Sequence, residues 1–246
     1  MGNLKYFQAW DLPTRLFHWI NFACVLSLSA IGTAILFDKE LGVTDAGKLI
    51  LKTTHVWFGY IFVLNLIWRI VWAFFGDKNA RWSALLPFQA GYVNELKAYV
   101  RGMMRGDAPR YAGHNPIARA MVTLLFVLLL VQGVTGLVLA GTDIYYPPFG
   151  SWIAAWISLP GVDPSTIVAY NKDGVDPAAM AAMRAFRSPF VNVHYWTFYT
   201  LVAAVVIHIA GVIVTESREG GGIVSAMFTG QKAFDRPPVD DTESKS

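Results

Sequence analysis

Five histidines stand in this chain of 246 residues. Four of them, His18, His55, His194 and His208, lie inside or at the ends of long apolar runs, and the fifth, His114, immediately precedes another. An imidazole inside a hydrocarbon environment is costly. It is kept there to hydrogen-bond between helices, to relay protons or to bind a metal. His194 and His208 share one stretch, FVNVHYWTFYTLVAAVVIHIAGVIV, fourteen residues apart. Fourteen residues is close to four helical turns, so both rings project from nearly the same face, about 21 Å apart along the axis. One helix thus carries ligands at two levels.

The elements that must position these rings follow from composition. The chain is 54% hydrophobic and 15% charged, whereas a soluble domain is about 45–50% apolar and about 25% charged. The excess is concentrated in four runs, at residues 16–37, 55–75, 117–140 and 193–214. Each reaches the ~20 residues that cross a bilayer as a helix, and an open sheet cannot span lipid. The expected fold is an all-α membrane protein, a four-helix transmembrane bundle without internal repeats. It forms one domain over residues 1–232 with a polar tail over 233–246. No cleavable leader is expected, because the first run is long enough to span and lacks a small-residue cleavage site. With both termini inside, twelve Lys and Arg fall on the inner segments and six on the outer ones. That bias predicts cytoplasmic termini and a long second outer loop in a multi-pass protein of the cytoplasmic (inner) membrane.

Depth then pairs the histidines. The first run enters from inside, which places His18 near the inner surface, and the second enters from outside, which places His55 near the outer one. His194 matches His55, and His208 matches His18. Two imidazoles facing each other across a bundle core are the axial ligand pair of a haem. The single cysteine, Cys24, excludes a disulfide framework, protein-only iron–sulfur ligation and a CxxCH attachment, so the groups would be two non-covalent, b-type haems. The competing uses fit less well. A lone membrane histidine is more often a hydrogen-bonding residue, but four at matched depths are hard to obtain by chance. A proton path would recruit Asp or Glu, and the four runs contain none. A di-metal site needs ligands closer together than the two levels allow.

Arg69, late in the second run, and Arg15, three residues before His18, either pair with haem propionates or snorkel to the surface. Gly32, Gly59, Gly133, Gly136 and Gly211 either admit a flat macrocycle or serve ordinary helix packing. Trp19, Trp57, Tyr195 and Trp196 flank the histidines as belt or pocket residues. The second outer loop, residues 141–192, holds TDIYYPPFGSWIAAWISLP and DPAAMAAMRAFRSP. Asp176 and Pro177 mark the start of a helix there, with Pro189 just past its end. This loop is either a cover over the bundle or a platform for a partner. A short amphipathic helix is expected near residues 91–104, its basic side chains meeting anionic lipid headgroups. Residues 236–246 read as a disordered polar tail. The net charge of +3, without a basic stripe, excludes nucleic acid as a partner class.

RLFHWINF around His18, THVWFGYIF around His55, YAGHNPIARAM before the third run, VQGVTGLVLAGTDIYYPPFG at its exit and the His194–His208 pair resemble one family. It is the bacterial di-haem cytochromes of the b561-like type, and nearly the whole chain, to about Lys232, takes part. GHNP and the TDIYYPPFG loop point to the branch that serves membrane-bound nickel–iron hydrogenases. The gamma subunit of respiratory formate dehydrogenase belongs to the same superfamily. The resemblance implies an anchor for small (iron–sulfur) and large (nickel–iron) subunits on the outer side. It implies electron transfer through a haem on His55 and His194, then a haem on His18 and His208, to membrane quinone. Hydrogen-splitting chemistry would lie in the partner chains. The resemblance also places a quinone site beside Tyr111–Asn115, where His114 stands in place of a glutamine of the formate dehydrogenase relatives. His114 would there bond a quinone carbonyl and supply a proton, or else remain a solvated interfacial residue. The alternatives are the same module in another oxidoreductase, of formate dehydrogenase or thiosulfate reductase type, and a haem-free anchor or transporter.

Overall fold

The computed structural model describes residues 4–241. Four long helices carry the apolar runs: α1 (Leu12–Leu36), α2 (Asp45–Phe75), α5 (Pro116–Ile144) and α7 (Pro177–Glu219). All four are long and apolar enough to cross a membrane. Shorter elements join them: α3 (Trp82–Leu85), α4 (Tyr92–Arg105), α6 (Gly150–Ile157), α8 (Ile223–Thr229) and the strands β1 (Lys5–Gln8) and β2 (Gln231–Phe234).

Each long helix opens on a polar side chain that accepts a backbone N–H of its first turn, as unpaired helix starts require. Asp11 accepts from Thr14 at 3.0 Å, Thr44 from Gly47 at 3.2 Å, and Asn115 from Ala118 at 2.8 Å. Asp176 accepts from Ala178 at 2.7 Å and Ala179 at 3.1 Å. Large apolar side chains such as Phe22, Leu26, Leu64, Val206 and Ile213 are half or more exposed, which suits lipid-facing surfaces. α4 lies where the amphipathic helix was expected. It ends on Gly106, whose φ of 76° and N–H bonds to Gly102 and Met103 close the last turn.

The chain divides into two compact units, and the long helices run through both. One unit comprises residues up to Ile20, Asn65–Val127 and Leu201 onward; the other comprises Asn21–Leu64 and Leu128–Thr200. In the first, β1 and β2 pair antiparallel, Lys5 opposite Phe234 and Gln8 opposite Gln231. Ala9 and Trp10 donate to the Gly230 carbonyl, and Trp19 Nε1 donates to Met227 at 3.0 Å. The two chain ends are thereby tied together. In the second unit the segment between α5 and α7 folds on a core of its own: Ile153, Ala154, Ile157, Ile167 and Val175 are buried together with Met183 of α7.

Two expectations are corrected. The helix started by Asp176 does not stop before Pro189. It continues as the single helix α7, with Pro189 inside it. Proline removes one N–H bond from the ladder, but spanning helices tolerate this, and the Ala-rich turns before it favour helix. The tail is not free either. Val239 N–H donates to Arg110 O at 2.9 Å, and Arg236 bridges to Asp107 at 2.9 Å. Residues 242–246 of the expected tail lie outside the described residues.

Candidate functional site

In the second unit, His55 on α2 and His194 on α7 face one another. Their ring centroids lie 6.4 Å apart with an interplanar angle of 74°. A metal–imidazole bond is about 2.0–2.1 Å, so two such bonds plus two ring half-widths come to about 6 Å. One metal ion fits between the rings. Among the described residues, no three or more His, Cys, Asp or Glu side chains gather to hold a bare ion. A pair of axial ligands with nothing else suits a metal that brings its own equatorial donors, as haem iron does.

The walls agree with this. A Cβ added to Gly32 would lie 3.3 Å from His55 Cε1, and one on Gly136 would lie 3.5 Å from His194 Cε1. These two glycines let α1 and α5 approach the ligand rings closely. Gly59, one turn after His55, has open space where a Cβ would point, whereas Gly133 packs on Val63 and Phe62 as ordinary helix contact. The ring nitrogens differ: His55 Nδ1 is buried without a partner, whereas His194 Nδ1 lies 2.9 Å from Thr135 Oγ1. The Gln132 carboxamide also reaches this nitrogen, at 2.9 Å. Trp57 and Trp196 are 59% and 66% exposed, which makes them belt residues rather than pocket walls.

In the first unit, α1 carries His18 and α7 carries His208. His18 Nδ1 is buried without a partner, and the ring meets Trp19 edge-on at 5.2 Å. Gly211, one turn after His208, again has open space. Arg69 does not snorkel: it is 2% exposed, between the rings of Phe17 and Phe126. Its Nη2 donates to Ala80 O at 2.9 Å, and its Nη1 has no partner. A buried, half-paired guanidinium is suited to a carboxylate. Arg15 donates to the Phe228 carbonyl and keeps an unpartnered Nε.

His114 lies in the same unit, its ring 4.6 Å from that of Trp10. Burial, reinforced by the positive charges of Lys232, Arg69, Arg119 and His208, pushes its imidazole down to about 3. The loop that carries it is held by two residues that sequence reasoning missed. Lys232 is 5% exposed and donates to Tyr111 O at 3.0 Å and Gly113 O at 2.9 Å. Asp240 accepts from Ala112 N–H at 2.7 Å and Gly113 N–H at 2.8 Å. Burial brings the Lys232 ammonium down to about 8, opposed by Asp240, Glu219 and Glu216. Asn115, besides capping α5, donates to Tyr99 OH at 2.7 Å, and Tyr99 in turn bonds Glu219. Only a polar residue in an apolar context could have flagged Thr135. Lys232 and Asp240 lie more than a hundred residues from the backbone they hold.

Four membrane-crossing helices, a facing His55–His194 pair and glycines packed on those rings are features of a membrane-bound b-type cytochrome. The family model for prokaryotic cytochrome b561 matches residues 9–230, and the chain belongs to that family. Membership implies haem b, and the residues present fit it. Similar proteins include a probable Ni/Fe-hydrogenase B-type cytochrome subunit of Rhizobium leguminosarum bv. viciae, 24% identical over 92% of this chain and 88% of the relative. The protein of the same name from Cupriavidus necator is 24% identical over 94% and 89%. The probable Ni/Fe-hydrogenase 1 B-type cytochrome subunit of Escherichia coli is 27% identical over 60% and 66%. The chain is a multi-pass protein of the cytoplasmic membrane.

Proposed function

We propose that this chain holds two haem b groups and passes electrons from a nickel–iron hydrogenase to membrane quinone. The observation that carries the reading is the His55–His194 pair, spaced for one iron and flanked by Gly32 and Gly136. His18 and His208 repeat the pattern, with α7 supplying one ligand to each pair. Bound haem b supplies one-electron redox chemistry at a potential set by its axial ligands and surroundings.

The chain's own residues do the rest. Each histidine pair fixes an iron position, within apolar runs that carry no Asp or Glu. Arg69, with its free Nη1, pairs with a propionate, and Arg15 offers a second cation. The names of the relatives support a hydrogenase as partner, its small and large subunits docking on the outer side. The Lys and Arg bias supports cytoplasmic termini. His114, held in the loop that Lys232 and Asp240 clamp, is a neutral imidazole there and offers its ring N–H to a quinone carbonyl.

Two measurements test this. The purified complex contains two haems per copy of this chain by haemochrome assay, and hydrogenase subunits co-purify with it. One haem per chain, or a chain without the b-type α-band, overturns the di-haem reading. Co-purification with formate dehydrogenase or thiosulfate reductase subunits instead reassigns the partner.

A further inference from the structure

The hydrogen bonds around the His55–His194 pair are unequal, and the inequality has a chemical consequence. Thr135 is 5% exposed on α5. Its hydroxyl proton is committed to Val131 O at 2.6 Å, one turn back. What Oγ1 then turns toward His194 Nδ1, 2.9 Å away, is a lone pair. An oxygen that has already donated can only accept, so its bond to His194 needs the hydrogen on Nδ1 and the free electron pair on Nε2. The Gln132 carboxamide, 2.9 Å from the same nitrogen, opposes that tautomer when its N–H points at the ring, and iron held through Nε2 decides for the threonine. The hydroxyl bond therefore favours the tautomer that can bind iron through Nε2. His55 Nδ1 has no such partner.

Hydrogen bonding from the distal ring N–H makes an imidazole a more basic ligand. A more basic axial ligand favours the oxidised, more positive iron and lowers its reduction potential. We infer that Thr135 is a positioning and tuning residue for the haem held by His55 and His194, locking the His194 tautomer and lowering that haem's potential. The bland alternative is a helix threonine satisfying itself on the preceding turn. That role needs the Val131 bond alone and would not move a redox potential. The inference rests on His194 being an axial ligand, as proposed above.

The test is a potentiometric titration of the visible α-band in the purified complex. Thr135→Val keeps the side-chain shape and removes the hydroxyl, while Gln132 remains. It retains both haems and raises the midpoint of one transition, the transition that His194→Ala and His55→Ala each lose. The other transition is unmoved, and Thr135→Ser restores the original midpoint. Unchanged midpoints in Thr135→Val, a shift of the other transition, or a serine variant that behaves like valine overturns the inference. If Thr135→Val loses the haem, Thr135→Ala carries the same measurement. Loss in both, with retention in the serine variant, shows a requirement for assembly and also overturns tuning. If His194→Ala keeps both haems, the ligand reading itself fails, a result distinct from all of these.

Discussion

The two units that hold the histidines bury different kinds of side chain. Around His55 and His194 stand two glycines, a threonine hydroxyl and an amide. The unit of His18 and His208 instead buries cations: Arg69 at 2% exposure and Lys232 at 5%. Charges interact more strongly away from water. A fixed positive charge favours reduced iron, while a hydrogen-bonded, more basic imidazole favours oxidised iron. Under the proposed two-haem reading, such surroundings would set two identical ligand pairs at different potentials without changing the ligands.

The largest expected effect tests whether the pairs are real. His55→Ala and His194→Ala each remove the same half of the haem, and His18→Ala and His208→Ala each remove the other half. Haemochrome assay and α-band position read the result. If His55→Ala and His18→Ala delete the same component, the pairing collapses and the comparison with it.

Glycine substitutions come next. Gly32→Val pushes into the His55 ring, where even a Cβ meets Cε1 at 3.3 Å. It is expected to lower occupancy of that haem severalfold while sparing the other. Gly136→Ala makes an ordinary contact at 3.5 Å and leaves occupancy near normal. Equal losses at both haems in Gly32→Val would mean that the glycine serves general packing.

Lys232→Met sharpens the other side. It strands the Tyr111 and Gly113 carbonyls that Lys232 now satisfies. An unsatisfied buried group costs about 1–3 kcal/mol, so melting in detergent falls by several degrees, while the His55–His194 haem keeps its spectrum. A melting point unchanged from the parent protein would show that the clamp contributes nothing.

The smallest effect is a pH dependence. The His114 pKa is lowered to about 3 in the folded chain, from an ordinary 6.5. Between those values the unfolded chain binds more protons, so this residue makes stability fall as pH drops below about 6.5 toward 3. His114→Phe keeps the Trp10 contact and flattens that acid limb of the melting-temperature profile. An identical limb in the variant would place the acid sensitivity elsewhere.

Much of this was legible beforehand because it is local. A run of ~20 apolar residues signals its own helix, Asp11, Asn115 and Asp176 announce helix starts, and the fourteen-residue gap on α7 follows from helical period alone. The His55–His194 pairing was also reachable, since membrane depth converts sequence position into height. Pro189 misled because a proline reads as a boundary, whereas packing and membrane context carry the helix through it.

What the sequence by itself determined is the set of membrane helices, the four ring-bearing positions and the family they belong to. Each is written in short-range composition and spacing. Only the tertiary structure decided which glycines touch a histidine ring, that Thr135 Oγ1 lies against His194 Nδ1, and that β1 pairs with β2. It alone placed Lys232 and Asp240 on the backbone of the His114 loop. Those contacts join residues from 23 positions apart, Gly32 and His55, to 128, Ala112 and Asp240, or farther still in the strand pair. Hydrogen bonds of that kind depend on where separate helices stop against one another, a property that no local pattern encodes.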